Sequence, residues 1–449
     1  MPETSERVAV IGAGLAGCEA ARILAACGIG VDLYEMKPGR RSPAHRSDDF
    51  AELVCSNSLR ADSVTNAVGL LKEELRRLGS LVMESADLAK VPAGGALAVD
   101  REEFSGYITG RIKNDPLINV ISEEVTSIPS DRITVIATGP LTDGALYDDI
   151  MRLTGNADLH FFDAAAPIVA ADSIDMSKAF RQSRYGKGGD DYINCPMNEE
   201  EYKAFYNALI TAQTAEFHGV DKINVFEGCM PIEVMAQRGE DTMRFGPLKP
   251  VGLTDPATGK EPYACLQLRQ DDRASTMYNL VGFQTRLKFG EQKRVFGMIP
   301  GLENAEFLRY GVMHRNTYID SPRLLNSDYS MRDHPDIFFA GQITGVEGYI
   351  ESAASGFLAG LNIALRIKGE SEAAGMLDSK TVIGSMAHYV SDPAITRFVP
   401  MNANFGIVEP MPGRFKGKRA KQEKYAAVAE RSLSRVDEFS AIMRSIIKN

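Results

Sequence analysis

The feature that most constrains the fold is a glycine-rich turn near the N-terminus, between a short apolar run and a helix-forming segment. Val8-Ala9-Val10-Ile11 favours a buried strand, and the sequence GAGLAG at 12–17 leads into small and apolar residues that favour a helix. A second β-favouring run, residues 30–35, ends in Glu35. Strand, glycine turn, helix, strand and acid within about thirty residues are typical of a βαβ dinucleotide-binding unit.

The residues of this unit each have a physical role in binding a dinucleotide. The glycines let the main chain turn tightly and approach a pyrophosphate, whose negative charge is favoured at a helix N-terminus. Glu35 is placed to accept a hydrogen bond from a ribose hydroxyl. The predicted cofactor-binding residues are therefore Gly12, Ala13, Gly14, Leu15, Ala16, Gly17 and Glu35. NAD sites and some S-adenosylmethionine sites share this pattern, so the turn alone leaves the ligand open.

Two later strands that end in glycine resemble the large flavoprotein superfamily and indicate FAD. The first runs from Arg132 to Thr138-Gly139, and the second ends at Gly341-Gln342 before a turn and a small-residue helix. The resemblance implies that Thr138, Gly139, Gly341 and Gln342 also contact the cofactor. The usual second residue of the late pair is Asp, so here a neutral amide would make that contact. No second Gly-x-Gly-x-x-Gly occurs, so a nicotinamide reductant is expected to act as a passing co-substrate.

We therefore predict an α/β fold, in which a Rossmann-like FAD-binding domain of the glutathione-reductase type is interrupted by an α+β insertion domain. Residues 1–140 and 326–449 are expected to form the discontinuous FAD-binding domain, and residues 141–325 the insertion. Within the insertion, helical stretches such as 199–215 alternate with β-like stretches such as 280–284.

Composition limits the other possibilities. The chain has 449 residues and a formal net charge of −10, without a secretory signal or a stretch of about 18 apolar residues. We therefore expect a cytoplasmic protein without membrane contact. Six cysteines without a C-x-x-C pair and six scattered histidines predict neither a disulfide framework nor a metal site. The basic run RFKGKRAKQEK, residues 414–424, fits either a solvated hinge or a phosphate-binding segment, and an amphipathic helix is predicted from about 419 to 447.

Two cysteines lie in unusual surroundings. Cys55 is followed by the polar run SNSLR, whereas buried cysteines usually behave as small hydrophobic residues. Cys229 follows an apolar run that stops at Gly228 and lies just before a proline, which indicates a turn facing a cleft. The ordinary structural role is expected for the remaining cysteines: Cys18, Cys27, Cys195 and Cys265.

Long motifs extend this interpretation to a specific family. The stretches CSNSLRAD, VFEGCMPIE, YNLVGFQTRLKFGEQKRVF, AGQITGVEGYIESAASG and PMNANFGI together resemble the bacterial folate- and FAD-dependent tRNA (uracil-5-)-methyltransferases, the TrmFO family, which is related to the GidA flavoproteins. The resemblance implies methylation of C5 of the T-loop uridine of tRNA. Methylenetetrahydrofolate would supply the carbon, FAD the electrons, and NAD(P)H the reduction of FAD.

The family's two motif cysteines map onto Cys55 and Cys229. The resemblance implies a thiolate that adds to C6 of the uracil, for which we favour Cys229, and an acid–base or flavin-side thiol, for which we favour Cys55. Phosphate-binding cations are expected around the cleft, with Arg286, Lys288, Lys293, Arg294 and the 414–424 run as candidates.

Two other functions remain open at this point. One is the same chemistry on a uridine of ribosomal RNA, and the other is a plain NAD(P)H-dependent FAD oxidoreductase without RNA. A monomer is expected.

Overall fold

The computed structural model describes residues 7–155, 158–215, 230–370, 373, 375–413, 415 and 419–448. In chain order its strands are β1 (Val8–Ile11), β2 (Val31–Tyr34), β3 (Ser58–Ala61), β4 (Lys90–Val91), β5 (Ala96–Val99), β6 (Ile118–Ile121), β7 (Thr134–Ile136), β8 (Asp158–Ala164), β9 (Ile168–Ala170), β10 (Phe180–Arg181), β11 (Tyr192–Met197), β12 (Ala264–Gln270), β13 (Met277–Leu280), β14 (Phe307–Arg309), β15 (Met313–Ile319) and β16 (Ile337–Phe339). Its α-helices are α1 (Leu15–Ala26), α2 (Ala67–Leu78), α3 (Leu81–Leu88), α4 (Arg101–Lys113), α5 (Gly144–Leu153), α6 (Glu199–Ile210), α7 (Ile232–Ala236), α8 (Phe289–Phe296), α9 (Ser321–Leu324), α10 (Tyr349–Lys368), α11 (Val382–Ser391) and α12 (Ala420–Lys448).

A five-stranded parallel sheet carries the predicted dinucleotide-binding unit. Its strand order is β16-β7-β1-β2-β6, and every neighbouring pair is parallel. All four residues of β1 are buried, as expected for a central parallel strand covered on both faces. The carboxyl ends of β1, β7 and β16 therefore lie side by side, which confirms the predicted α/β, Rossmann-like fold.

The small residues of α10 let that helix pack closely on α1. A Cβ atom added at Gly356 would lie 2.0 Å from the carbonyl oxygen of Ala16, and one at Gly360 would lie 2.7 Å from that of Ala20. Only glycine fits these positions without moving backbone, because real Cβ contacts are not this short. The late helix therefore rests against the helix that follows the glycine turn, and it fixes the position of that turn.

The middle of the chain has its own sheet and its own core. A six-stranded antiparallel-paired sheet has the order β10-β11-β12-β13-β9-β14. One hydrophobic cluster extends from Val169 to Ala305, whereas another combines residues before Met151 with residues after Tyr318. The boundaries 1–140, 141–325 and 326–449 stay a prediction, and these two clusters support it.

Two local predictions in the insertion need correction. The stretch 199–215 was expected to be helical throughout, but α6 ends at Ile210, where Thr211 turns its hydroxyl back to the carbonyl of Asn207. The β-like prediction for 280–284 is wrong after its first residue. Strand β13 ends at Leu280 because the chain turns at Gly282, whose φ is +77°.

The amphipathic tail forms a helix, as predicted. Helix α12 spans Ala420–Lys448, and Val428, Val436 and Phe439 on its apolar stripe are buried against the core. None of the helices in the described part of the chain combines the length and apolarity that crossing a membrane requires.

Candidate functional site

A cleft at the carboxyl ends of β1, β7 and β16 collects most of the predicted cofactor residues. It encloses about 1260 Å³ of atom-free space, its open mouth included. The predicted residues that line it are Gly12, Ala13, Gly14, Leu15, Ala16, Glu35, Thr138, Gly139, Gly341 and Gln342. We call this the cofactor cleft. It lies at the edge of the parallel sheet where α/β folds bind nucleotides.

The start of α1 is built to receive an anion in this cleft. The helix follows Gly14, and no side chain caps its first N–H groups. A Cβ atom added at Gly14 would meet nothing within 4 Å, so the space in front of the helix is open. The buried carboxylate of Glu35 accepts hydrogen bonds from the N–H of Ala13 at 2.9 Å and of Lys37 at 3.0 Å, which holds the turn in place. These features fit the pyrophosphate and ribose of a dinucleotide.

Gly12 and Gly17 both allow the tight turn, but only Gly12 also lines the cofactor cleft. Gly12 has φ +99°, and a Cβ atom there would lie 2.7 Å from the carbonyl oxygen of Ala137. A Cβ atom at Gly17 would lie 1.8 Å from the carbonyl oxygen of Gly12. Gly17 is absent from the cleft wall. Its role in the structure is the close packing of helix against turn.

A second cleft contains the Cys55 thiol. It encloses about 1530 Å³ of atom-free space, again with its open mouth included, and we call it the thiol cleft. Its wall includes Cys55, Arg269, Gln284 and Asn316. Both clefts are lined by Val54, Pro140, Leu141, Gln342 and Tyr349. The two spaces are therefore contiguous, and Cys55 lies beside their junction.

Tyr349, the first residue of α10, holds the Cys55 main chain. Its phenol oxygen accepts hydrogen bonds from the N–H of Cys55 at 2.7 Å and of Ser56 at 3.1 Å. The sulfur of Cys55 lies 3.7 Å from the carbonyl oxygen of Ala164, to which it donates. Helix α10 thus positions both the glycine turn, through α1, and the thiol.

Arg269, a buried residue of β12, joins the loop after Cys55 to the insertion. Its guanidinium donates to the hydroxyl of Ser56 at 2.7 Å and to the side-chain oxygen of Asn57 at 3.0 Å. Burial lowers the pKa of Arg269, while the nearby Cys55 acts in the opposite direction. The hydrogen bonds to a buried cation hold the loop against the antiparallel sheet.

Two further arginines hold the residues before Cys55. Arg309 donates to the carbonyl oxygen of Val54, and Arg101 donates to that of Leu53. Arg101 also pairs with both carboxylate oxygens of buried Asp271, at 2.9 and 3.2 Å. Burial lowers the pKa of Arg309, and the charge of Cys55 again opposes this shift. The Cys55 sulfur therefore lies within electrostatic reach of the guanidinium groups of Arg101, Arg269 and Arg309.

Cys229 lies outside the described residues, but the chain that follows it is described. The N–H of Ile232 donates to the carbonyl oxygen of Gln284 at 2.7 Å, and Gln284 lines the thiol cleft. The segment that begins at Met230 therefore starts next to the cleft that contains Cys55.

The other cysteines lie in the core, as expected for structural residues. They are Cys18, Cys27, Cys195 and Cys265, and all are buried. Burial raises the pKa of each thiol, to about 12 for Cys265, so they are inert at neutral pH.

The predicted phosphate-binding cations differ in their surroundings. Arg286 is half-buried, with its guanidinium 3.8 Å from Glu233, and Arg294 forms a 2.6 Å ion pair with Glu291. Lys288, which precedes α8, and Lys293, in the last turn of α8, are both exposed. In the 414–424 run, Arg414, Lys416 and Lys418 lie outside the described residues, and Arg419, Lys421 and Lys424 are described.

Sequence reasoning missed the residues that hold Cys55. Tyr349 belongs to the motif AGQITGVEGYIESAASG, seven residues after Gln342, but nothing in the motif indicates a contact with residue 55. Arg101, Arg269 and Arg309 come from three distant segments, and no local pattern connects them.

Comparisons with known proteins agree with this geometry. Residues 7–371 match the sequence profile of the family described as glucose inhibited division protein A. Proteins named methylenetetrahydrofolate–tRNA-(uracil-5-)-methyltransferase TrmFO from Listeria welshimeri and Acetivibrio thermocellus are both 61% identical to this chain. The two alignments cover 96% and 91% of this chain, and 98% and 94% of the relatives.

Solved structures share the fold at low sequence identity. Aquifex aeolicus GidA in its form I crystal is 17% identical, with a TM-score of 0.69 over 99% of this chain and 78% of that chain. The form II crystal gives 16% identity and a TM-score of 0.66, over 100% of this chain and 76% of that chain. At this identity the likeness shows the arrangement of strands and helices.

Proposed function

The chain belongs to the glucose inhibited division protein A family and, within it, to the TrmFO enzymes, and on this basis we propose that it methylates C5 of a T-loop uridine in tRNA. Methylenetetrahydrofolate is the carbon donor, FAD the resident cofactor and NAD(P)H the reductant. The name of these relatives includes methylenetetrahydrofolate, tRNA and position 5 of uracil.

One observation from the structure supports this proposal above the others. The Cys55 thiol lies in the thiol cleft, beside the junction with the cofactor cleft, and the chain after Cys229 reaches the same thiol cleft at Gln284. A plain flavin oxidoreductase needs no thiol beside that junction, and it needs no arginines within electrostatic reach of one.

The chemistry of uracil explains why two thiols are required. C5 is a poor nucleophile, and addition of the Cys229 thiolate to C6 makes it an enolate carbon that attacks the one-carbon unit of the folate. Loss of the C5 proton then expels tetrahydrofolate by breaking the bond between its nitrogen and the transferred methylene group, and the C6–sulfur bond breaks after the methylene has become methyl. Cys55, whose main chain is held by Tyr349 and whose neighbours Ser56 and Val54 are held by Arg269 and Arg309, accepts the C5 proton as a thiolate base.

The residues of the cofactor cleft fit FAD. The uncapped start of α1 would bind the pyrophosphate, and Glu35 would accept from a ribose hydroxyl while it retains its bonds to the turn. Gly341 and the amide of Gln342 would face the flavin end. Bound reduced FAD supplies the electrons that convert the transferred methylene group to methyl.

The remaining parts of the proposal concern the setting of the reaction. The enzyme is a cytoplasmic monomer that holds FAD in residues 1–140 and 326–449, with residues 141–325 as the insertion. NAD(P)H acts as a passing co-substrate, because the sequence carries one glycine-rich dinucleotide turn.

The test uses FAD-loaded protein, NADPH and methylenetetrahydrofolate labelled in its one-carbon unit. Unmodified tRNA and ribosomal RNA transcripts are supplied separately. We expect label in 5-methyluridine of tRNA. We also expect Cys229→Ala and Cys55→Ala to abolish transfer, with reduction of FAD by NADPH retained. Cys27→Ala, which changes a buried thiol, is the matched control.

Two results would contradict the proposal. Label in ribosomal RNA alone would keep the chemistry and change the substrate. Consumption of NADPH without label in either RNA would leave a plain flavin oxidoreductase.

A further inference from the structure

Three aromatic rings of the insertion form a continuous face-to-face stack. Phe289, the first residue of α8, lies 4.8 Å from Tyr310 between ring centroids, with 19° between the planes. Tyr310 in turn lies 5.4 Å from Phe307 of β14, with 6° between the planes. We call Phe289, Tyr310 and Phe307 the aromatic stack.

One end of the aromatic stack is anchored in the core and the other faces solvent. Phe307 contacts the fully buried Phe296 at 6.5 Å, whereas the Phe289 side chain is 55% exposed. Single exposed apolar residues are common on protein surfaces. Here, however, the exposed ring lies on Tyr310, which lies in turn on Phe307, so the plane of the Phe289 ring is fixed and its free surface is preorganised to receive another flat group.

Two lysines flank the exposed ring, and the ammonium of Lys288 donates a hydrogen bond to the side-chain oxygen of Gln213 at 3.3 Å. Lys288 immediately precedes Phe289, and Lys293 lies four residues after it, on the same face of α8. Both lysines are exposed, and within the described part of the chain neither forms an ion pair with a carboxylate. Arg294, on the same helix, is instead neutralised by Glu291 at 2.6 Å. The surface around Phe289 therefore favours an anionic partner.

The aromatic stack also lies next to the thiol cleft. The residue before Tyr310, Arg309, donates to the carbonyl oxygen of Val54 in the cleft wall. The residue after it, Gly311, packs so closely on the wall that an added Cβ atom would lie 2.7 Å from the carbonyl oxygen of Ala165. Tyr310 is therefore flanked in sequence by two residues that contact the wall of this cleft.

We propose, building on the function proposed above, that an unpaired base of the RNA loop stacks on Phe289 beside the extruded uridine, while Lys288 and Lys293 bind adjacent phosphates. Extruding the target base leaves neighbouring bases without a stacking partner. An aromatic side chain replaces that partner whatever the base, because every base has a π-face, and lysines track the backbone. The aromatic ring of the folate tail is the competing occupant, and the experiment separates the two.

The experiment compares four FAD-loaded proteins: wild type, Phe289→Ala, Phe289→Tyr and Leu308→Ala. Leu308 is the matched control, because it is an exposed apolar residue of β14 outside the aromatic stack. A T-arm RNA carries 2-aminopurine at one loop position at a time. Three quantities are measured: fluorescence quenching and Kd for this RNA, the KM for RNA and for methylenetetrahydrofolate, and the Tm of each protein.

The proposal predicts quenching at one loop position in the wild type. Phe289→Ala should lose the quenching and raise both the Kd and the KM for RNA about tenfold, as expected for the loss of one stacked base. Phe289→Tyr should retain wild-type values, since it keeps the ring, and so should Leu308→Ala. The KM for methylenetetrahydrofolate and the Tm should be unchanged in every variant.

Several outcomes would overturn the inference. An RNA Kd within twofold of wild type for Phe289→Ala, or an equal rise of the Kd in Leu308→Ala, would exclude base stacking on Phe289. A rise confined to the KM for methylenetetrahydrofolate would assign the aromatic stack to the folate. If the wild type bound RNA with Phe289-dependent quenching but transferred no methyl group, the proposed function would be wrong and base stacking on Phe289 would be supported.

Discussion

The hydroxyl of Tyr349 offers the most direct test of how this site holds its thiol. Tyr349→Phe removes one oxygen atom and keeps the ring that lines both clefts. That oxygen accepts from the N–H groups of Cys55 and Ser56, at 2.7 and 3.1 Å. The substitution therefore removes a shared acceptor from two consecutive donors next to the reactive sulfur.

The expected cost follows from the burial of the two donors. A buried N–H without an acceptor costs about 1–3 kcal/mol. Cys55 and Ser56 are only half-buried, so water compensates in part, and we expect about 1–2 kcal/mol for the pair. If the reaction requires the Cys55–Ser56 main chain in the position that Tyr349 holds, this free-energy cost corresponds to a fall in kcat of roughly 5- to 30-fold. The KM for RNA should be unchanged, because Tyr349 acts on the thiol.

The assay combines single-turnover methylation with amide hydrogen exchange of the FAD-loaded protein. Exchange at residues 55 and 56 should accelerate by about the factor by which kcat falls. Tyr389→Phe is the matched control, because its hydroxyl donates to the carbonyl oxygen of Val399 away from both clefts, at 3.0 Å. Unchanged exchange at Cys55 and Ser56, or equal loss of rate in the two variants, would refute the reasoning.

Three further substitutions test other parts of the structure. Gly17→Ala should lower both the Tm and the FAD content, measured by thermal unfolding and absorbance, because its Cβ would lie 1.8 Å from the carbonyl oxygen of Gly12. Burial raises the pKa of Glu74 from 4.5 to about 7, so the folded state retains a proton that the unfolded chain has lost. The free energy of unfolding should therefore fall as pH rises from 5 to 7.5, by about 2.4 kcal/mol more in wild type than in Glu74→Gln, as measured in urea. Lys72→Met should cost about 2–4 kcal/mol in the same assay, because buried Lys72 donates to the carbonyl oxygens of residues 59–61.

Features that depend on the local order of residues could be predicted from the amino-acid sequence. The glycine turn, the acid at the end of β2 and the two later glycine-ended strands lie within short segments whose pattern dictates their conformation. The small residues of α10 and the apolar stripe of α12 are likewise periodic. Polar flanks singled out Cys55, and its motif connected it to a family. For these features the residues that interact are neighbours in the chain.

The surroundings of the Cys55 thiol, by contrast, follow from contacts between segments that are distant in the chain. Tyr349 reaches the main chain of Cys55 across 294 residues of sequence, and Arg269 reaches Ser56 across 213. Phe289 stacks on Tyr310 because β14 and the residue after it return beside α8. Side-chain contacts of this kind depend on strand order and helix packing, which bring distant segments together. A local sequence pattern does not show which distant segments will be in contact.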